Sequence, residues 1–479
     1  MTAHDKHLDA VYDNFRAIAT IPHGSGNTAQ ISRFCVDWAH AHRLDVSADA
    51  AGNVVIRKPA SKGYENRPAV ILQGHLDMVC AKDDNCRKDM ETEGLTLCWG
   101  REFLTAQGTT LGGDDGIAVA YALALLSADD IPHPPLTVLL TVDEEIGMLG
   151  AAAVSPSALD ADYLLNLDSE EEGVFTVGCA GGVRVHLTVP VNMEKQQGVP
   201  ITVKLSGLCG GHSGMEIHRP LMNANTAMVR VLQMISAPFG LCGWEGGIRD
   251  NVIPTEASVT LLCQADKVQD VLDAVENAGK SRAADYPLDT DMKLTATAAA
   301  ESECDAVSIE ETAHLLTYLA SLPNGVTAMD DTLHMPQTSL NQGIFSLHDG
   351  AFHSDALVRS GINAEKDALA NKLHQLAEEM GGSYEESGDY PAWEYIPNTV
   401  LEQTAVACYR NCYDGKEPLV QTIHAGLECG VLAAKSERLT CISFGPDILD
   451  IHTPRERLSL PSVERTWTLL CEILAHLGE

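Results

Sequence analysis

The fold of this chain is decided by the stretch AVILQGHLDMV, which runs from Ala69 to Val79. Its first half is apolar without polar alternation, which is typical of a strand buried on both faces of a parallel sheet. The apolar run stops at Gly74, and His75 and Asp77 follow at once. In open α/β sheets, ligands bind beyond the carboxyl ends of the strands. This placement predicts His75 as a metal ligand and Asp77 as the carboxylate that holds the second nitrogen of its ring.

Later apolar runs end in the same way. Leu136–Val142 precedes Asp143, Glu144 and Glu145, Tyr163–Leu167 precedes Asp168, and Thr440–Gly445 precedes a loop that carries His452. One such strand end is more simply explained as a solvated loop. Strand ends that together carry imidazoles and carboxylates favour a site for zinc or a similar divalent ion, with no thiolate required.

A glycine-rich segment, LGGDDGIA at residues 111–118, leads into an apolar helix over 118–126. Its acidic residues, Asp114 and Asp115, have two interpretations. They can cap the amino end of the helix, as aspartates often do, or they can belong to the same metal site. The residues alone leave both interpretations open.

Composition bounds the class of protein. A chain of 479 residues exceeds what one core normally holds, so at least two domains are expected. The net charge of −35, from 67 acidic and 32 basic residues, argues against nucleic acid or an anionic membrane as a partner.

Cellular location is also predicted from the sequence. Met1 to His7 carries no apolar core of a signal peptide, and the longest apolar stretch, Ala118 to Leu126, is too short to span a bilayer. The 14 cysteines show no paired CxxC spacing. Reduced thiols in a cytoplasmic protein explain this pattern best.

The region from 185 to 385 has a different pattern. Strand and helix signals alternate in two similar halves, at 201–205, 221–236, 257–263 and 268–278, then at 292–297, 310–321, 337–345 and 364–380. Such units form an antiparallel sheet covered on one face by helices. The predicted fold class is therefore α/β: residues 1–184 and 386–479 form a domain with a mixed, largely parallel sheet flanked by helices. Residues 185–385 form an inserted α+β domain.

The motifs QGHLDMV, LGGDDGIA, TVDEEIGMLG, LNLDSEE and ISFGPDILDIHTPRER resemble those of the dinuclear zinc exopeptidases. That family includes carboxypeptidase G, aminoacylase and carnosinase. The motifs occur in the family's order over essentially the whole chain, and the closest resemblance is to the family's bacterial dipeptidases.

The resemblance implies a role for each matching residue. Asp114 would bridge two divalent ions, His75 and Asp168 would complete one ion, Glu145 and His452 the other, Glu144 would be the general base, and Asp77 would orient His75. Zinc is the expected metal, with cobalt or manganese as alternatives. In the mechanism that the resemblance implies, a water bridged between two such ions would attack the scissile carbonyl. The resemblance also implies a cis peptide bond between Asp114 and Asp115.

In the family the inserted domain is a lid over the active site. His212 in GGHSG resembles the lid histidine that reaches the substrate carbonyl, although a histidine that caps a glycine-rich turn is an alternative. Arg359 resembles a lid arginine that pairs with a substrate carboxylate, and Asn251 resembles a substrate-contacting asparagine. For both, a polar residue at a strand end is the competing interpretation. Glu428 lies in a loop that matches the family near the cleft, and no role beyond amine recognition is considered for it.

The leading hypothesis is therefore a metallo-dipeptidase that hydrolyses unblocked dipeptides of broad sequence, including aminoacyl-histidine dipeptides. An N-acyl amino-acid amidohydrolase with the same metal centre is one alternative. A non-catalytic protein that binds peptide or metal is another, against which the presence of Glu144 argues. The resemblance implies a homodimer, but a doubled lid could let one chain close its own site.

Overall fold

The computed structural model describes residues 3–282 and 286–478. Contacts divide the chain into two compact units. The first unit consists of Met1–Cys179, Tyr395–Thr422 and Leu427–Glu479, and the second of Ala180–Glu394 and Ile423–Gly426. The division into domains stays a prediction, with residues 1–184 and 386–479 in one domain and 185–385 in the other.

The helices, in chain order, are α1 Ala3–Ala19, α2 Ala29–Ala41, α3 Gly113–Ser127, α4 Leu149–Ala153, α5 Ala224–Gln233, α6 Val268–Arg282, α7 Ile309–Ser321, α8 Asn363–Glu379, α9 Val400–Cys412, α10 Glu428–Ala433 and α11 Leu460–His476. The strands are β1 Asp45–Ala48, β2 Val54–Lys58, β3 Val70–His75, β4 Leu97–Trp99, β5 Phe103–Ala106, β6 Leu136–Thr141, β7 Tyr163–Asn166, β8 Val174–Cys179, β9 Gly181–Pro190, β10 Met193–Ser206, β11 Gly211–His212, β12 Gly240–Gly246, β13 Val252–Ile253, β14 Ala257–Cys263, β15 Lys293–Ala298, β16 Ser302–Val307, β17 Gly325–Asp330, β18 Met335–His348, β19 Ala351–Ser360, β20 Ser383–Tyr390, β21 Leu419–Ile423, β22 Thr440–Ser443, β23 Ile448–Leu449 and β24 Arg457–Ser459.

The first unit is built on a mixed sheet with the strand order β1-β2-β6-β3-β7-β22-β8-β21. Its centre, β6-β3-β7-β22, is parallel throughout, whereas β1, β2 and β8 pair antiparallel with their neighbours. All six residues of β3 are buried, as the apolar run predicted for a strand covered on both faces. The predicted α/β class and the mixed, largely parallel sheet are confirmed.

The register of the central strands brings their carboxyl ends to one edge. His75 at the end of β3 is opposite Thr141 at the end of β6, and Gln73 is opposite Asn166 at the end of β7. Ser443 at the end of β22 is also opposite Asn166. The loops that follow these strands therefore begin at one level of the sheet.

Helix α3 packs against α1 and β3 and is buried along nearly its whole length. A helix that is apolar on every side is typical of such a position. The structure of its amino end decides between the two interpretations of Asp114 and Asp115. Gly112, with φ +66°, occupies the N-cap position without a side-chain cap, and Asp114 and Asp115 follow with non-helical dihedral angles. The capping interpretation of these aspartates is therefore wrong.

The second unit is built on an antiparallel sheet with the strand order β15-β10-β14-β12-β18-β19-β9-β20, to which β16 and β17 are added. The segments β10-α5-β12-β14-α6-β15 and β9-α7-β18-β19-α8-β20 place their strands in the same relative order. The sequence predicted the four helices of these segments. It missed β12, β19 and the polar edge strand β20, whose exposed residues carry no apolar pattern. It also grouped the strands differently, because β9, the first strand of the second segment, precedes the whole of the first segment in the chain.

Across the described ranges, no helix combines the length and the apolar character that crossing a membrane would require.

Candidate metal centre

Two histidines of the first unit approach one aspartate from different sides. Nε2 of the buried His75 lies 3.0 Å from Oδ1 of Asp114 and 3.3 Å from Oδ1 of Asp168. Nε2 of His452 lies 3.1 Å from Oδ2 of Asp114 and 3.0 Å from Oε1 of Glu145. Each oxygen of Asp114 thus faces a different histidine. The structure brings together all five predicted ligands.

The loops that carry these side chains start at the sheet edge described above. His75 ends β3, Glu145 follows β6, and Asp168 follows β7. His452 lies in the hairpin loop between β23 and β24, where its φ is +61°. Asp114 enters from the start of α3, and its peptide bond to Asp115 is cis, as the family resemblance implied.

Asp77 contacts His75 mainly through its main chain. Nδ1 of His75 lies 2.9 Å from the carbonyl oxygen of Asp77 and 3.5 Å from its carboxylate. The carboxylate instead accepts hydrogen bonds from the Ser25 hydroxyl and from the backbone N–H groups of Glu144 and Glu145, at 2.8, 3.0 and 3.3 Å. The sequence predicted the partnership with His75. It did not predict that this carboxylate also fixes the loop after β6.

The fit to a divalent ion rests on the donor atoms. Ligand atoms of His75, Asp114 and Glu145 lie within 4.8 Å of one another, and so do those of His75, Asp115 and Asp168. Imidazole nitrogen and carboxylate oxygen are suitable ligands for Zn²⁺ and also for Mn²⁺ or Co²⁺. The second group includes Asp115, which was not among the predicted ligands. One oxygen of Asp115 accepts the His75 N–H, and the other is buried with no hydrogen-bond partner in the described part of the chain.

The concentration of carboxylates also calls for a cation. Burial, together with repulsion from neighbouring carboxylates, raises the pKa of Asp115, Glu144 and Asp168. Burial and the charge of Asp114 raise the pKa of Glu170 to about 7. Negative charge held at this density in a buried site is stabilised by a bound cation. The residues present therefore fit a metal centre.

A row of polar side chains crosses the four central strands just before they end. Ser443 donates to Asn166, Asn166 donates to Gln73, and Gln73 donates to Glu428, each at 2.5 Å. Thr141 also donates to Glu428, at 2.7 Å. Glu428 is 1% exposed. Sequence analysis missed this row, because a lone polar residue in an apolar strand gives no signal of its partners.

The row stabilises the strand that carries the predicted ligand His75. Gln73 and His75 are two residues apart on β3, so their side chains project from the same face of the sheet. The hydrogen bonds of Gln73 to its neighbours fix the end of this strand. Glu428, the residue for which only amine recognition was considered, contacts Gln73 and Thr141 rather than a predicted metal ligand.

The remaining predicted residues belong to the second unit, where His212 and Asn251 lie together. His212 pairs with Val252 between β11 and β13, and the Asn251 carbonyl accepts the N–H of Ser213. Nδ1 of His212 lies 3.2 and 3.1 Å from the backbone nitrogens of Gly214 and Met215. Because Nδ1 accepts these N–H groups, Nε2 is the protonated nitrogen of the neutral ring. Burial and the nearby charge of Arg359 lower the pKa of His212, which favours that neutral form.

Arg359 on β19 is a buried cation. It is 6% exposed, and its Nη1 donates to the hydroxyl of Tyr390 at 2.8 Å. Its Nε is buried without a hydrogen-bond partner among residues 3–282 and 286–478. Burial and the charge of Arg359 also lower the pKa of His424 to about 3, so this histidine is neutral beside it. A desolvated guanidinium with unused donors is suited to an anionic group.

Comparison with known proteins agrees with the motifs. Residues 71–476 match Peptidase family M20/M25/M40. The chain is 37% identical to the cytosol non-specific dipeptidase of Escherichia coli over 98% of its own length and 97% of that protein.

Among solved structures, the aminoacylhistidine dipeptidase of Vibrio alginolyticus superposes with a TM-score of 0.91, at 33% identity and with coverage of 98% and 97% of the two chains. The aminopeptidase PepT of Bacillus cereus shares the fold, with a TM-score of 0.58 at 15% identity over 98% and 99% of the two chains. These findings confirm the resemblance to the exopeptidases and to their bacterial dipeptidase branch. The chain belongs to peptidase family M20/M25/M40.

Proposed function

We propose that this protein is a metal-dependent dipeptidase that hydrolyses unblocked dipeptides of broad sequence, aminoacyl-histidine dipeptides among them. The single observation that carries the proposal is the placement of His75, His452 and Glu145 around the two oxygens of Asp114 at the edge of the parallel sheet. The names of two relatives, the E. coli and V. alginolyticus proteins, support the substrate class.

The proposed cofactor is a pair of divalent ions, with Zn²⁺ first and Co²⁺ or Mn²⁺ as alternatives. His75 and Asp168 would hold one ion, Glu145 and His452 the other, and Asp114 both. Bound there, the ions would polarise the scissile carbonyl and lower the pKa of a water molecule.

Glu144 is the proposed general base. Its raised pKa comes first from burial and is opposed by the charge of His75. A carboxylate with a raised pKa takes a proton from water and can then return it to the leaving amine. The N–H of Glu144 is held by Asp77, which fixes the start of its side chain.

We propose substrate-contacting roles for the second unit's residues. His212, with Nε2 protonated, is suited to donate to the oxygen on which negative charge develops. Arg359 is suited to bind the free carboxylate of a dipeptide, because a planar guanidinium can pair with both oxygens. Asn251 is proposed as a further polar contact, on the support of its place beside His212. We propose that residues 185–385 act as the lid.

The proposed assembly rests on the family resemblance. We propose a homodimer that acts on small dipeptides and uses neither nucleic acid nor a membrane as a partner. The surplus of 35 negative charges supports the exclusion of nucleic acid and of an anionic membrane as partners. The E. coli relative carries the word cytosol in its name, and we propose a cytoplasmic location for this chain too.

The test compares substrates on one preparation. Protein freed of metal with a chelator is assayed on alanyl-histidine, alanyl-alanine and their N-acetylated analogues, before and after addition of Zn²⁺, Mn²⁺ or Co²⁺. We expect no turnover without metal. With metal, we expect hydrolysis of the unblocked dipeptides that is at least about 100-fold more efficient than that of the blocked ones, since a site built for a charged amine rejects its neutral analogue.

Two results would contradict the proposal. Faster hydrolysis of the N-acetylated substrates would assign the chain to the amidohydrolases that share this type of centre. Metal binding without hydrolysis of any of these substrates would favour a non-catalytic binding protein.

A further inference from the structure

Glu456 is a buried carboxylate that the proposed mechanism does not use. It is 2% exposed and lies four residues after His452, at the end of the β23–β24 hairpin. Its carboxylate accepts hydrogen bonds from backbone N–H groups of the first unit, and no ion pair with a basic side chain accompanies them among the described residues. A buried charge without a cationic partner is costly unless hydrogen bonds satisfy it.

The backbone that satisfies Glu456 is the segment leading to Asp114. One oxygen of Glu456 accepts the N–H groups of Leu111 and Gly112, at 2.8 and 3.1 Å. The other accepts that of Gly113 at 2.7 Å and lies 3.4 Å from the nitrogen of Asp114. These donors lie just before and at the start of helix α3, where no side chain from the helix itself provides a cap. Glu456 therefore takes the place of the missing cap.

The hairpin gives Glu456 little freedom to move. Thr453 accepts the Glu456 N–H through its carbonyl, and its hydroxyl donates to the carbonyl of Asp450. Just after Glu456, Leu458 pairs with Ile448 in β23 and with Leu104 in β5. The carboxylate is thus anchored at the base of the hairpin whose tip carries His452.

We propose that Glu456 is a positioning residue that sets the separation of His452 from Asp114. It ties the hairpin that carries His452 to the segment that carries Asp114. The side chains of these two residues approach to 3.1 Å. The metal position that His452 shares with Asp114 depends on this tie more than the position formed with His75, which is held by the sheet itself. This inference rests on the proposed two-metal centre and adds the residue that aligns one half of it.

The test measures metal affinity without relying on turnover. Metal-free wild-type protein and the Glu456→Gln variant are titrated with Co²⁺, followed by its visible absorption and by competition with a chelator. Glutamine keeps the shape of the side chain but removes the charge and half of its acceptors. We expect one of two binding steps to weaken by about 10–100-fold, as is typical when a residue that orients a ligand is changed. We expect the other step to change by less than about threefold.

Two further variants identify the affected step and control for stability. His452→Ala should abolish the same step that Glu456→Gln weakens. Glu172→Gln is the matched control, because Glu172 is another largely buried carboxylate of the first unit. It binds Tyr413 and Arg465 and not the segment that leads to Asp114. This variant should leave both steps unchanged.

If Glu456→Gln does not fold, Gly113→Ala serves instead, because its added methyl group would lie 3.2 Å from Oε1 of Glu456 and displace it slightly. The same step should weaken, by a smaller factor. Equal changes in both steps, or no change in either, would overturn the inference. Wild-type protein that binds fewer than two Co²⁺ ions would instead contradict the proposed two-metal centre, so the two failures are distinguishable.

Discussion

Glu144 and Glu145 are neighbours in the chain but differ in their contacts. Glu145 lies 3.0 Å from His452, whereas Glu144 belongs to neither group of potential ligands among the described residues. We predict that Glu144→Gln lowers turnover on dipeptides by about 10²–10⁴-fold, the usual contribution of a general acid–base group. Its content of Zn²⁺, measured by elemental analysis after dialysis, should stay that of the wild type.

Glu145→Gln is the matched variant for this prediction. It makes the same Glu to Gln change at the next position in the chain. This variant should lose metal together with activity, because a neutral amide is a poor ligand in a carboxylate site. Loss of metal from Glu144→Gln would mean that Glu144 is a ligand, and the assignment of the base would then be wrong.

The polar row across β6, β3, β7 and β22 joins the central strands of the first unit through their side chains. Asn166 stands in its middle, donating to Gln73 and accepting from Ser443. We predict that Asn166→Leu lowers the free energy of unfolding by about 2–4 kcal/mol, since each buried polar group left without a partner costs roughly 1–3 kcal/mol. Chemical denaturation of the metal-free protein measures this change.

Asn192→Leu provides the control for the row. Asn192 is on the surface of the second unit, where its side chain donates to Glu194, and exposed substitutions of this kind change stability by less than about 0.5 kcal/mol. Equal destabilisation by both variants would show that the row adds nothing beyond ordinary replacement of an asparagine.

The same row shows what a sequence can and cannot predict. Strand β3 and its parallel neighbours were predictable because burial on both faces leaves an uninterrupted apolar run. The ligands were predictable because parallel strands end at one edge. The contacts of Gln73 with Glu428, and of Glu456 with Gly113, join residues more than 300 positions apart. No local pattern encodes such pairs, and the same holds for the cap that α3 receives from outside itself.

At the scale of the whole molecule, the proposed substrate range requires a way to recognise dipeptides without reading their side chains. A dipeptide of any sequence always offers a free amine and a free carboxylate. The chain has 67 acidic residues and 32 basic ones, and a carboxylate is bound by a basic residue. Arg359 is a candidate for this role, because it is buried and its Nε has no hydrogen-bond partner in the described part of the chain.

We predict that Arg359→Ala lowers kcat/KM on unblocked dipeptides by at least about 100-fold, because a buried charged group paired with its ligand contributes several kcal/mol. Dipeptides whose carboxyl end is amidated should lose far less, since they carry no negative charge for the arginine to bind. Steady-state kinetics on the matched pair of substrates measures both effects. Arg230→Ala is the control, because Arg230 lies exposed on α5 of the same unit and should leave both substrates unaffected.

The comparison separates binding of the carboxylate from a general effect on the second unit. Arg359 also donates to Tyr390 and lies near His212 and His424, so its loss could disturb these neighbours. Such a disturbance would affect free and amidated substrates alike, and Arg359 would then not be the carboxylate anchor. A loss confined to the free substrates can only come from the charge that they alone carry. In that case, Arg359 is the residue that recognises the free carboxylate of the dipeptide.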